Sequence, residues 1–471
     1  MKKILFILFL FKTLVSLAQG EANIWYFGQN AGLDFNSGSP VALTNGQLNT
    51  DEGCATLSTP EGQLLFYTDG ITVYNRNHNI MPNGFGLMGH PSSAQSATIV
   101  QKPGSTNLYY VFTTDNEHDP NGFRYSIIDL DQDGGFGAVT SEKNILVYTP
   151  TIENLGVTKH ANGTDIWIVT HGWDSTNFNT YLLTDVGLSA TPVVSSIGLP
   201  VTGNGFTAAG TIKLSPSGSK LAITSVSDFL QLFDFNISTG VLTNEQTLLI
   251  ETGELYGVAF SPDENLLYVS NSIGKLYQFD LQATDISNSK ITLRNNSNPT
   301  SGALQLGPDG KIYIAFRNRT KIGVINNPNQ LGVTCDLQFE AIDLNGRICK
   351  AGLPSFNQSF FNASFSVSNF CIGTATEFNL NSSTPVTSAI WNFGDGSPTV
   401  NAVAPSHTYA NDGNYTVIVT ATSVNGTVTR SKSITISAVP VIANTISNKT
   451  VCGSANMNYD LSQFTTPLLG S

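Results

Sequence analysis

Between Gly257 and Leu281 the chain reads GVAFSPDENLLYVSNSIGKLYQFDL, with large apolar residues at Val258, Phe260, Leu266 and Tyr268 alternating with small or polar ones. A period of two predicts short strands with one packed face. Ser261-Pro262-Asp263-Glu264 breaks the run, because proline presets a turn φ and the aspartate side chain caps the turn. The phrase returns as ATLSTPEGQLLFYT from Ala55, TIVQKPGSTNLYYVF from Thr98, IKLSPSGSKLAIT from Ile212, LQLGPDGKIYIAF from Leu304 and, more loosely, VTKHANGTDIWIVT from Val157. Spacings of roughly 43 to 59 residues, with several strands per copy, predict propeller blades; a helical repeat would need apolar residues at helical spacing. A seventh blade is assembled from both ends of the array, with Leu353 to Gln358 as inner strand and Ile24 to Phe27 and Leu33 to Phe35 as outer ones. The expected fold class is all-β: a seven-bladed β-propeller over residues 19–362, closed by N- and C-terminal strands, followed by an Ig-like β-sandwich over 363–438.

In the second segment, Tyr415 to Ala421 alternates large apolar with polar positions. Trp391 and Phe393 of WNFGDGS share one face and are expected to anchor a core, with Gly394-Asp395-Gly396 as the turn. Downstream stand His407, Tyr409 and Tyr415 in HTYANDGNY. These phrases resemble the W-x-F-G-D-G and H-x-Y-x-x-x-G-x-Y motifs of the polycystic-kidney-disease (PKD) domain, and the resemblance implies an immunoglobulin-like sandwich.

Within the propeller segment, NIWYFGQNAGLDFN, EGQLLFYTDG, MPNGFGLMGH, YSIIDLDQDGGFGAVTSEKN, KHANGTDIWIVTH and LPSFNQSFF are similar to the N-terminal region of large surface proteins from gliding Bacteroidetes. That resemblance implies a multidomain cell-surface protein, exported by type IX secretion through a C-terminal sorting domain absent here, and linked to gliding or adhesion. Residues 439–471 look like the opening of a further domain.

Lys2 and Lys3, the apolar run Ile4 to Phe11, and Ser16-Leu17-Ala18 before Gln19 fit the three zones of a secretory signal over residues 1–18. The run is too short to span a bilayer, so the expected chain is secreted or held at the outer cell surface and is not membrane-spanning. Losing three lysines takes the formal charge of -12 to about -15. An acidic chain without a basic stripe is a poor partner for nucleic acid. Charged residues are only 12% of the 471, as in a turn-rich all-β exported protein. Five cysteines in an oxidising compartment leave at least one outside any internal pair. Cys335 and Cys349 flank a loop before the closing strand and are the expected disulfide. Cys54 lies on an inner strand as a packed thiol, and the partners of Cys371 and Cys452 stay open.

Candidate chemistry is sparse. Asp129, Asp131 and Asp133 before Gly134 resemble the start of a calcium loop, but Thr140 stands where the bidentate glutamate is needed; a solvated turn is the bland alternative. His160 and His171 bracket a strand near Glu153, at a separation matching no compact ligand motif. Glu52, Gln95, Glu153 and Glu254 each precede an inner strand and are expected to converge at one mouth of the channel. Convergent carboxylates there would serve metal or proton-transfer chemistry, or would merely be wet. Trp173 in HGWDSTN is a candidate for stacking on a sugar, and Asp174-Ser175-Thr176 resembles a short Bacteroidetes O-glycosylation pattern. No nucleophile elbow, zinc helix or phosphate loop is present.

The reading favoured by these features is a non-enzymatic binding or adhesion protein needing no cofactor. Its propeller would present a ligand face, and the PKD-like module would act as spacer or interaction module for a glycan or cell-envelope protein. The rival is an extracellular propeller hydrolase or lactonase with a PKD targeting module.

Overall fold

The computed structural model describes residues 20–37, 39–226, 229–250, 255–296, 298–355, 357, 363–382, 386–423 and 426–438. The leader at 1–18, the tail at 439–471 with Cys452, Glu254, and Phe356 and Gln358 of the closing strand lie outside them. Ordered elements among the described residues are strands and short 3-10 turns, and no helix there is long and apolar enough to cross a membrane.

Seven antiparallel sheets make the propeller. The first blade runs Ala55–Ser58, Leu64–Thr68, Thr72–Asn75, Ile80–Phe85, and five more four- or five-stranded blades begin at Ala97–Gln101, Gly156–Lys159, Gly210–Leu214, Leu255–Phe260 and Ser301–Leu306. The seventh sheet is Ile24–Phe27, Ala31–Asp34, Val41–Leu43. Of these blades, the fifth shows the proline-aspartate turn foreseen from sequence at Ser261 to Glu264. In the fifth, Asp263 Oδ1 accepts the Ser261 hydroxyl at 2.6 Å and the Asn265 amide at 3.2 Å, so Leu266 re-enters the sheet in register.

The seventh sheet is held by packing between the first and sixth blades. Trp25, Phe27 and Leu33 share one core with Tyr313, Ile322 and Val324 on one side and Cys54 and Tyr67 on the other, and Leu353 joins it. Trp25 meets Tyr313 edge-on at 5.4 Å, and Tyr26 meets Tyr67 at 4.5 Å. The described backbone bonds of the closing segment go to neighbouring blades: Ala351 donates to Asp51, Ser355 to Cys54, and Ala303 to Ala351. Ile24–Phe27 pairs only with Ala31–Asp34 among the described residues. Pro354 removes one donor from the segment, and its bridge is the parallel one to Cys54. Gly352 fits this passage because a Cβ there would lie 1.9 Å from the Glu52 carbonyl.

The second unit has two sheets, Ala363–Ser368, Thr376–Ser382, Ser406–His407 and Val400–Asn401, Val386–Asn392, Gly413–Ser423, Gly426–Ile436. Trp391, fully buried, sits among Phe365, Phe378 and Phe393 and donates its Nε1 to the Ala402 carbonyl at 2.8 Å. The WNFGDGS turn is an interlocked clasp. Asp395 Oδ2 lies 2.6 Å from His407 Nε2, His407 stacks on Phe393 at 4.1 Å, and the Tyr409 hydroxyl donates to the Phe393 carbonyl at 3.0 Å. Tyr415 packs on Tyr409 at 4.4 Å. Gly394, at φ +79, is where a Cβ would collide with the Thr416 carbonyl at 2.4 Å. Gly396 continues the turn at φ +83.

The cysteine expectation is overturned. Cys335 and Cys349 are separate buried thiols, as is Cys54. Cys335 packs beneath Tyr268 between the fifth and sixth blades, whereas Cys349 belongs to the core shared by the sixth and seventh. The segment between them is not a loop but carries the strand Leu337–Asp343, which pairs with Lys321–Ile325 and leads from one core to the other. Cys371 is a free, exposed thiol.

Candidate functional site

The starts of the inner strands gather at one mouth of the channel, joined at several junctions by backbone bonds from Gly53 to Ser93, Glu153 to Ala208, Ala303 to Ala351 and Ala351 to Asp51. Three of the four expected polar residues meet here. Glu52 is 9% exposed, Gln95 5% and Glu153 2%, so these side chains face protein and not solvent.

Glu153 is a clamp between blades. Its two carboxylate oxygens accept the Ala94 amide at 2.7 Å and the Glu117 amide at 2.6 Å, while its carbonyl accepts the Thr114 hydroxyl at 3.0 Å. Burial pushes its pKa up to about 8, helped by the neighbouring Glu52 charge and opposed by the two amides. Burial likewise raises Glu52 to about 7, opposed by the Arg317 guanidinium. Tyr256 stands beside both acids; burial, followed by the Glu52 charge, holds its phenol well above the usual range. Its buried hydroxyl makes no hydrogen bond of good geometry, nor does either polar atom of the Asn154 amide.

Gln95 is spent on backbone. Its Nε2 donates to the carbonyls of Leu155 at 2.9 Å and Ile212 at 3.2 Å, and its Oε1 accepts the amides of Leu155 at 3.2 Å and Ile212 at 2.8 Å. One side chain of the second blade thereby fastens the inner strands of the third and fourth. Beneath it, Ala94, Ala209, Val226, Tyr256 and Ala351, one or two from each of four blades, pack into an apolar plug.

The other candidates lie apart from this ring. His171 is buried against Phe178, its Nδ1 2.8 Å from the Gly172 carbonyl, and burial lowers its pKa to about 4. His160 sits at the other strand end, bonded to Ser238 and Asn162. Asp129 accepts from Asn107, Asp131 and Gln132, Asp131 accepts from Asn107, and Asp133 opens a 3-10 turn. Among the described residues no three His, Cys, Asp or Glu side chains are grouped to hold a metal ion. Trp173 is half-buried, and His118 lies nearly parallel over its ring at 4.4 Å. Trp25 and Trp167 are core residues, Trp167 donating to the Ile237 carbonyl at 2.8 Å.

Tyr256, Arg317, Lys213 and Ser355 were not singled out from sequence, yet they line the mouth or the channel. For Lys213 a partial signal existed: alternation puts a lysine between Ile212 and Leu214 on the sheet face opposite to theirs.

Among solved structures, the PKD1 domain of Vibrio anguillarum Epp aligns at 26% identity over 17% of this chain and 95% of that one, with TM-score 0.15. The β-propeller domain of Myceliophteria thermophila Cps50 (Swd1) aligns at 12% identity over 64% of this chain and 95% of that one, with TM-score 0.39. A Bacteroides uniformis protein described by its solvers as a candidate 6-phosphogluconolactonase aligns at 13% identity, 82% and 97% coverage and TM-score 0.37. These likenesses carry no argument about activity. No curated protein matches the chain. Residues 363–438 match the family model of the PKD domain. The chain thus joins a seven-bladed β-propeller to a PKD domain.

Proposed function

We propose that this is an exported cell-surface binding protein, whose propeller presents a ligand face and whose PKD domain serves as spacer or interaction module for a glycan or cell-envelope protein. A PKD domain fits an extracellular setting, and the sequence resemblance to gliding-bacterial surface proteins points to type IX export and adhesion or gliding. One observation carries the reading: the polar groups at the channel mouth are buried and engaged in holding blades and loops, over an apolar plug. A hydrolase of the channel-mouth kind would need those carboxylates open to substrate. Contact with a partner then falls to the exposed loops, which a rigid ring gathers on one face.

The test is a screen of the mature chain against polysaccharides, envelope fractions, lactones and peptides, with and without divalent metal, beside Glu52→Gln and Glu153→Gln. Saturable binding without turnover is expected. Turnover that disappears in both variants would replace this reading with the hydrolase one.

A further inference from the structure

We propose that the propeller channel holds a single monatomic anion of chloride size at Lys213, bound between the fourth and sixth blades and the closing segment.

Lys213 lies on the inner strand Gly210–Leu214, and its Nζ crosses the channel to donate to Gln305 Oε1 of the sixth blade at 2.8 Å. An ammonium carries three N–H donors and one full charge, and Gln305 answers one donor and none of the charge. No ion pair joins Lys213 to a carboxylate among the described residues. Burial is the sole cause lowering its pKa, to about 8. Its side chain is only partly buried, yet an ammonium drawn partly out of water with no counter-charge gives up some of its solvation. A water molecule offers an acceptor but no charge, whereas an anion offers both.

Space and donors are at hand. Two cavities, about 20 Å³ and about 10 Å³, share Lys213, Gln95 and Ser355 in their walls. Gln95 has no capacity left for a ligand, its amide being fully engaged. The Thr98 and Ser355 hydroxyls lie 3.0 Å apart; that bond consumes one hydroxyl hydrogen and leaves the other to donate elsewhere. Cavities of this size suit a particle close to water in volume, which favours a monatomic anion over sulfate, phosphate or an organic carboxylate. Because Ser355 belongs to the closing segment, such an anion would contribute to holding the ring shut.

The experiment uses the full mature chain. Unfolding of the propeller is followed in sodium chloride, sodium bromide and sodium gluconate at matched ionic strength, for the parent and Lys213→Met. Once halide exceeds its dissociation constant, each tenfold increase should raise the folding constant about tenfold in the parent. The variant should show only the residual difference between salts. In parallel, crystals of the parent grown in bromide should show an anomalous peak within hydrogen-bonding distance of Lys213 Nζ, a readout that does not depend on the variant folding. An unchanged folding constant across the three salts, the same halide dependence in Lys213→Met, or bromide crystals without that peak would overturn the proposal.

Discussion

Replacing Gln95 with leucine keeps the volume of the side chain and deletes four hydrogen bonds at once. The amides and carbonyls of Leu155 and Ile212 lose their partners in a region where both residues are almost fully buried. Each orphaned backbone group costs about 1–3 kcal/mol. The adjoining cavity of about 20 Å³ has room for a water that answers two of the four, so the net loss should be about 2–6 kcal/mol. Unfolding entropy near 2.1 cal/mol/K per residue over roughly 340 propeller residues gives about 0.7 kcal/mol per degree, and hence a fall of about 3–8 °C in propeller melting temperature. Scanning calorimetry of parent and Gln95→Leu reads this directly, with the PKD transition as an internal reference. Gln95→Glu should cost at least as much, since a carboxylate accepts from both amides but faces two carbonyls with nothing to donate. A shift below about 1 °C for both variants would refute the claim that this amide fastens the inner strands.

Trp391→Ala removes a fully buried indole and its bond to the Ala402 carbonyl. It should cost about 3–5 kcal/mol, abolishing the PKD transition while the propeller transition stays in place; a joint shift of both would show the two domains to be coupled. For the channel-mouth acids, the unfolded chain ionises near the ordinary value of 4.5, while the folded chain keeps its protons to about 7 at Glu52 and about 8 at Glu153. Propeller stability should therefore decline as pH rises from about 4.5 to about 8 and level off above. Glu153→Gln should flatten the upper part of that decline in pH-dependent denaturant titrations, and an unaltered profile would contradict it. Finally, alkylation of the unreduced, denatured chain followed by peptide mapping should recover Cys335 and Cys349 as free thiols; a Cys335–Cys349 cross-linked peptide would restore the disulfide.

The blades were legible because each copy states its own strands and turn locally, as in Ser261 to Leu266. The position just upstream of each inner strand marked Glu52, Gln95 and Glu153 as neighbours for the same reason. What that position could not convey is the direction in which a side chain spends its polar atoms. Gln95 answers backbone two blades away, 117 residues along the chain, and no local pattern encodes that reach. Likewise, the short separation of Cys335 and Cys349 hid the fact that each is drawn into a different core. Trp173 reads as an exposed loop aromatic until His118, from the preceding blade, is seen lying over it.

The seventh sheet has a kinetic consequence. Its three strands come from residues 24–43, yet the packing that surrounds them includes Tyr313, Ile322 and Leu353, and the Thr98–Ser355 contact spans 257 residues. During synthesis the first strands must therefore wait for most of the propeller to emerge. A nascent chain stopped before Leu353 leaves Trp25 and Phe27 short of neighbours and presents unprotected flanks to other chains. Completion is an all-or-none event delayed to the end of the array, and this late long-range contact should make the slow step of folding the joining of the two ends, with the individual blades forming earlier.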